Sequence, residues 1–558
     1  MKTPTTLYSC LLALVGCAAH AQAVAPRWTW ANSLASVPAV LPQALAADAA
    51  GNTYVSGTFT APLTLGAGAV LTSQGGTDSF VAKYGPDGAL RWTCQLAGPG
   101  TERIARLVAD QAGGVYLLGT SNLVGQPNTV RLGASALTAT GSGNTATLLA
   151  RLDAQGQPQW LRQPNPGSGA VGADLGVDAA GNLYLTGVLT GTATFGALTL
   201  AVPSISFDRY LVKLDPQGAA VWARQGGRVP NSNGLAFYNQ KLVVSADGDA
   251  YLVFYANAGP NGAFGSVTLP PGAGDFDEAV VKYDGQGAAQ WAQQGGGPGF
   301  DRVLDAALDG TGRLGLVCQF PGTATFGAQV LAGPGTQSGA LVVLDAATGA
   351  VQWGRAFTSP GAAQLSGVAA DPQGTWYVAG YFDGTGTLGD RSFASTGGND
   401  AVVASVSAQG AVGWVQQSTG PNNESAFLLR FTSPGRLAVG GTFTGTAQLG
   451  NLALTSQGGA AAADGFVAQL ASTPLASRAA HAAGPLALYP NPVATTGALG
   501  LPVLPAGTRL AVRDALGRTV RTGPAAASFP LAGVAPGLYQ VQATAPNGQL
   551  WAAKFIVE

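Results

Sequence analysis

The sequence predicts an all-β protein: a seven-bladed β-propeller of four-stranded blades, whose N-terminal strand closes the last blade, followed by a small immunoglobulin-like β-sandwich. Three observations lead there. Trp92, Trp160, Trp222, Trp291, Trp353 and Trp414 recur at intervals of 68, 62, 69, 62 and 61 residues, each four residues after a glycine. Between them a second pattern recurs, in which Asp, Gly, an aromatic and Gly follow one another at three-residue steps: DAAGNTYVSG (48–57), DQAGGVYLLG (110–119), DAAGNLYLTG (178–187) and DPQGTWYVAG (371–380). Composition is the third. Gly supplies 82 of 558 residues and the charged residues only 10%, with 46% apolar, so the chain has material for a large core and many turns.

Taken in order, residues 1–23 carry one Lys, an apolar stretch from Leu7 to Val15, and small residues at Ala19-His20-Ala21 or Ala21-Gln22-Ala23, the pattern of a cleaved export signal. Leu14-Val15-Gly16-Cys17 also resembles a lipobox, which would make Cys17 a lipidated N-terminus. With Cys10 and Cys17 in the leader, Cys94 and Cys318 remain, and the repeat spacing sets them four blades apart as buried, unpaired thiols. The two histidines fall outside the body, His20 in the leader and His481 in a linker. Ser-His catalysis, His-ligated zinc and His-based pH switching are thereby excluded from the propeller.

Residues 24–471 form the propeller. Upstream of each repeated Trp lies an apolar run such as FVAKYGPDG (80–88) or YLVKLDPQG (210–218), which makes a hairpin with the Trp strand. The Asp-Gly-aromatic pattern supplies a second hairpin, so each repeat holds four strands. Such units bury their faces only against neighbours, and a radial array leaves short edges. Six blades end in the six tryptophans. The seventh, through GRLAVGGTF (435–443) and DGFVAQL (464–470), lacks its Trp strand, which Pro26-Arg27-Trp28-Thr29-Trp30 supplies from the other terminus. Each Trp should pack between neighbouring blades; full burial of about 200 Å² of ring predicts a loss of about 3–5 kcal/mol for Trp222→Ala. Residues 472–485 read as a linker, and alternating runs at 510–514, 538–542 and 554–557 give residues 486–558 the pattern of a small sandwich.

Candidate chemistry is sparse. Asp78, Asp208, Asp277, Asp400 and Asp464 each stand two residues before a third-strand apolar run. One Asp per blade does not supply a calcium site, so these are read as turn and strand-start hydrogen bonders and no metal is expected. Ten residues after a repeat Trp stand Glu102, Asp301 and Glu424, the first two followed by Arg103 and Arg302. On the loop face opposite the tight turns these five would surround one end of the central channel and form a ligand-binding face. LDAATGAVQW (344–353) resembles the docking motif of quinoprotein propellers, but it occurs complete once, and no cofactor is expected.

Two resemblances add to this. The Asp before FVAK-type strands and the D-x-x-G-N-x-Y hairpins resemble the bacterial β-propeller repeats called SBBP, over residues 27–470. Tyr489-Pro490-Asn491-Pro492, Asp514 with Gly517 and Arg518, Gly537 with Tyr539, and Lys554 near the C-terminus resemble the type A sorting domain of type IX secretion substrates. The second resemblance implies a Gram-negative protein, secreted or held at the cell surface, with the type IX secretion machinery as a partner. The expected function is a non-catalytic binding, adhesion or scaffold module, with a glycan or surface protein as ligand. The alternative is a polysaccharide-active enzyme using the loop-face carboxylates. With 27 basic and 28 acidic residues no nucleic-acid partner is expected, no later segment reads as a transmembrane span, and the expected state is a monomer.

Overall fold

The computed structural model describes residues 25–35, 40–66, 69–110, 112–122, 128–140, 145–166, 169–203, 206–229, 240–257, 262–274, 276–334, 337–471, 484–514, 519–545 and 550–558. The leader, Cys17, both histidines, Gly517 and Arg518 lie outside the described residues, as does most of the 472–485 linker. The chain divides into two compact units, Met1–Ser472 and Thr473–Glu558.

In the first unit the described residues form seven large sheets, I to VII, each with a four-stranded antiparallel core, and four two-stranded ones. Their first strands are Leu41–Ala47, Glu102–Ala109, Ala170–Val177, Lys241–Val244, Arg302–Leu308, Ala363–Ala370 and Glu424–Ser433. Each first strand packs beside the next, and Glu424–Ser433 returns against Leu41–Ala47, closing a ring. In sheet VII the fourth strand comes from the other end of the chain: Arg27–Leu34 pairs antiparallel with Ala463–Ala471, Arg27 opposite Ala471 and Leu34 opposite Gly465. This repeated all-β architecture is that of a β-propeller. The described residues hold no α-helix, only a 3₁₀ turn at Gly459–Ala461, and no helix long and apolar enough to cross a membrane.

The local chemistry of the repeats explains the ring. Asp48 illustrates the first hairpin: its Oδ1 accepts the Asn52 N–H at 2.9 Å and its Oδ2 the Tyr54 hydroxyl at 2.9 Å, holding a turn in which Gly51 has φ +82°. Asp178 and Asp371 do the same with Asn182 and Thr375. The tryptophans join neighbouring sheets. Trp92 Nε1 donates to Ala154 O at 2.9 Å in the hairpin turn of sheet II, Trp222 to Gly285 O at 3.2 Å, Trp353 to Ala408 O at 3.0 Å, and Trp30 of the closing strand to Pro86 O at 3.2 Å. Their rings are half-buried apart from the closing strand's Trp30, which is buried, and a tyrosine of the same sheet stands beside several of them, as Tyr54 does by Trp92 at 5.9 Å. Cys94 and Cys318 are buried free thiols.

One recurring element departs from the sequence reading. The segments between second and third strands, to which no strands are assigned above, fold into short hairpins such as Thr192–Phe195 with Leu198–Ala201. Some of them extend the preceding sheet, Asn128–Leu132 pairing with Leu90–Ala97.

The second unit is a separate β structure. Strands Gly484–Pro485, Leu550–Val557, Gly537–Thr544, Arg509–Asp514 and Thr519–Pro524 lie in that order, and Ala498–Gly500 pairs with Ser528–Pro530. Its core contains Leu499, Val512, Phe529, Val541 and Phe555. Here Asn491 is tied to the last strand: its Oδ1 accepts the Ile556 N–H at 3.0 Å and its Nδ2 donates to Lys554 O at 3.3 Å. The Tyr539 hydroxyl donates to Ala535 O at 2.8 Å, whereas Tyr489 is 65% exposed.

Candidate functional site

The structure corrects the reading of Glu102, Asp301 and Glu424 as groups on an open loop face. Glu102 and Asp301 are 0% exposed and Glu424 is 1% exposed. The reason lies in where they fall on the backbone. Each begins, or immediately precedes, a first strand pinned beneath the preceding sheet: Glu102 N donates to Thr77 O at 2.8 Å, Asp301 N to Phe276 O at 2.9 Å and Glu424 N to Asn399 O at 2.7 Å. The next residues in those preceding strands are Asp78, Asp277 and Asp400, so each acid meets a strand-start aspartate across a seam. Ser121 Oγ donates to Glu102 at 2.8 Å, the Gly297 N–H to Asp301 at 2.5 Å and Ser418 Oγ to Glu424 at 3.2 Å.

Burial pushes Asp301 up to about 7, with Asp277 adding to the rise and the Gly297 N–H opposing it. Burial likewise pushes Glu424 up to about 7, with the Ser418 hydroxyl opposing and Asp400 adding. Glu102 rises for the same reason, by burial and with Asp78 adding to it. The three pairs occupy three different seams, I–II, IV–V and VI–VII, and do not converge. Where the third strand begins instead at Thr145 or Ser338, the next sheet begins at Ala170 or Ala363 and neither side has an acid, whereas Asp208 and Asp464 precede sheets that begin at Lys241 and Leu41, with an acid on one side only. Arg103 is exposed, and Arg302 donates from Nε to Gln319 Oε1 at 2.7 Å. The strand-start aspartates bond as expected in four cases: Asp78 accepts Gln74 N at 2.7 Å, Asp277 Ala273 N at 2.6 Å, Asp400 Thr396 N at 3.0 Å and Asp464 Gln457 N at 2.7 Å.

The charges that do converge are on the ring axis, and sequence reasoning missed them. In sheets I, II, III, V, VI and VII the first strand carries a β-bulge, and the residue after it is Ala44, Arg106, Asp174, Asp305, Gly367 and Leu428. Lys241 of sheet IV holds the matching register, opposite Val253. Four consecutive sheets thus present Arg106, Asp174, Lys241 and Asp305, alternating in sign. Arg106 Nε lies 2.8 Å from Asp174 Oδ1. Arg430, two residues beyond the matching position of sheet VII, reaches Asp305 at 3.1 Å, passing sheet VI where the ring residue is Gly367. A Cβ on Gly367 would stand 3.1 Å from Leu429 Cβ and 3.2 Å from Leu429 N, so any side chain there would push these strands a few tenths of an ångström apart. The aspartates also cross seams: Asp174 accepts Leu242 N at 2.8 Å and Asp305 accepts Val368 N at 3.3 Å.

Burial alone would raise Asp305, but Arg430, Arg106, Lys241 and the Val368 N–H together hold its carboxyl below the ordinary range. Burial lowers Lys241; Asp305 and Asp174 offset part of this, and Arg106 and Arg430 add to it. Three cations against two anions leave this girdle at a net charge of +1. On one side of it opens a cavity of roughly 320 Å³, lined by Arg106 and Arg430. Its wall in the layer beyond the girdle is Ala46, Val108, Gly176, Val243, Ala307 and Ala369, with Arg430 as the seventh member. Among the described residues no group of three or more His, Cys, Asp or Glu is placed to hold a metal ion. One sequence signal was available: Ala44, Arg106, Asp174, Lys241, Asp305 and Gly367 each stand four residues before the residue that opens a first hairpin, Asp48, Asp110, Asp178, Ser245, Asp309 or Asp371.

No protein-family model and no curated protein matches the chain. Solved structures to which it is similar include a protein of unknown function from Dyadobacter fermentans, at 9% identity, 80% of this chain, 99% of that chain and TM-score 0.37. A puromycin hydrolase matches at 14% identity over 76% of this chain and 53% of that chain, with TM-score 0.39. PorZ, a bacterial surface component of the type IX secretion system of Porphyromonas gingivalis, matches at 11% identity over 95% of this chain and 100% of that chain, with TM-score 0.15.

Proposed function

We propose that the chain is an exported, non-catalytic, seven-bladed β-propeller that serves as a binding, adhesion or scaffold module in the medium or at the surface of a Gram-negative cell. In this reading sheets I to VII are the blades, Arg27–Leu34 is the closing strand, and residues 486–558 are an immunoglobulin-like sorting domain that takes the protein through type IX secretion. One observation carries the choice of binder over enzyme. Glu102, Asp301 and Glu424, the acids from which a glycosidase or lyase would have been built, lie buried in three separate seams, whereas the charges that meet at a cavity are predominantly cationic. Two carboxyls flanking a scissile bond are what a polysaccharide-active site needs, and this cavity does not bring them together.

The protein from residue 24 onward is tested on glycan and matrix-protein arrays. Saturable binding to a ligand that is recovered unmodified supports the module. Turnover of a bound polysaccharide, or blank arrays of both kinds, overturns it.

A further inference from the structure

We propose that the axial cavity is a receptor for a small organic monocarboxylate with an apolar body, its carboxylate held between Arg106 and Arg430. This deepens the reading of the chain as a binding module by naming the ligand class of its axial site. A guanidinium presents a planar fork of donors matched to a carboxylate, and the Asp174 contact engages Arg106 through Nε while the Asp305 contact engages Arg430 through Nη1. Both arginines therefore have donors beyond those contacts, and both line the cavity.

The charge of the ligand follows from the girdle. Arg106, Lys241 and Arg430 exceed Asp174 and Asp305 by one positive charge, which a monoanion neutralises. A dianion such as phosphate would leave one charge uncompensated beside Ala46, Val108, Val243, Ala307 and Ala369, whose side chains offer it no countercharge. The same wall prescribes the rest of the ligand, because alkyl or aryl surface is what alanine and valine side chains can take from water. A volume of roughly 320 Å³ is near the lower end for ligand pockets, so the body is small, of the size of a short fatty acid or a single aromatic ring. Beside the cavity Gly176 lets its strand lie close to the next, since a Cβ there would stand 2.4 Å from Val244 Cγ2.

The test is calorimetric titration of the protein from residue 24 onward with hexanoate and benzoate, with hexanamide and benzamide as neutral isosteres and inorganic phosphate as the dianion. The expected result is one site per chain for a monocarboxylate, with affinity at least about tenfold lower for the matching amide and for Arg430→Gln. Because Arg430→Gln also unpairs Asp305, a second variant leaves every charge in place. Ala307→Leu fills the half-buried wall and should abolish binding with an unchanged melting temperature. No saturable binding of either acid tighter than about 1 mM overturns the proposal. So does amide binding as tight as acid, tighter binding of phosphate, or binding undiminished by Ala307→Leu. An array ligand found without carboxylate binding removes this site and leaves the module standing; carboxylate binding with blank arrays does the reverse.

Discussion

The contact between each tryptophan and the next sheet's turn can be measured by adding a single methyl group. Gly156 has φ +80°, and a Cβ built on it stands 2.5 Å from Trp92 Cδ2 and 2.8 Å from Cε3. Gly312 has φ +86° with nothing within 4 Å of its Cβ position. Both substitutions to alanine incur the left-handed backbone penalty, about 1–2 kcal/mol before the opposing gain of about 0.4–1 kcal/mol from a stiffer unfolded chain. Gly312→Ala should therefore cost about 1 kcal/mol. Gly156→Ala must in addition displace the indole, losing part of its packing and the Nε1 bond to Ala154 O, itself worth about 1 kcal/mol, for a total of about 2–4 kcal/mol. Urea unfolding followed by far-UV dichroism and tryptophan fluorescence gives the difference, provided the two transitions coincide. In a Trp92→Ala background the extra cost should vanish and Gly156→Ala should behave like Gly312→Ala. Equal losses at the two glycines in the native background would refute the idea that the tryptophan is seated on the turn.

Other expectations follow from the same geometry. Trp222 is half-buried, so Trp222→Ala should cost about 2–3 kcal/mol rather than the about 3–5 kcal/mol that full burial predicts, read from the urea midpoint. Asp301 and Glu424, pushed up to about 7 from ordinary values of 3.8 and 4.5, contribute stability that is fully present below about pH 4 and lost as pH rises towards 7. Asp301→Asn with Glu424→Gln should therefore raise the stability at pH 8, by about 1–2 kcal/mol per site after discounting for screening, and by much less at pH 5. Opposite pH dependence of that gain would contradict the seam assignment. Deleting residues 24–34 removes the fourth strand of sheet VII and exposes the edge of Ala463–Ala471; the shortened protein should self-associate on size-exclusion chromatography where the intact chain does not. Removing residues 486–558 should stop surface delivery in a host with type IX secretion, with the protein retained in the periplasm, as followed by cell fractionation.

The parts of this fold that were legible in the sequence are those in which a residue type is dictated by a turn or a seam. Gly51 and Gly156 sit at positive φ, Asp48 and Asp178 hold hairpins, and Trp92 and Trp222 span seams, so their spacing writes the repeat into the chain. The outer hairpins have an equally regular glycine, with φ between +52° and +63° at Gly66, Gly133, Gly196, Gly265, Gly327, Gly389 and Gly450, yet their strands are short and read as connection. The candidate site failed for a different reason. Counting ten residues from Trp92, Trp291 and Trp414 found acids that recur, but their recurrence marks a feature of three seams and says nothing about the axis. Burial of Glu102 and Glu424 is decided by the strand from the preceding sheet, which a position count does not contain.

The axis obeys a different rule. At this register each sheet's first strand shares the ring with those of the other sheets, and identical charges there would repel across it. Alternation of Arg106, Asp174, Lys241 and Asp305 is one solution, with Ala44, Gly367 and Leu428 completing the circle uncharged. These four charges balance two against two, and Arg430 adds a third cation, pairing with Asp305 from one layer away. Once Arg430 pairs with Asp305 and Arg106 with Asp174, Lys241 is the cation left over, and burial makes its ammonium less favourable, with Asp305 and Asp174 offsetting part of that cost. The four charges of the register cancel, so the odd charge is the one that Arg430 adds from the next layer. It gives the cavity above Arg106 and Arg430 a sign, which the apolar wall alone would not.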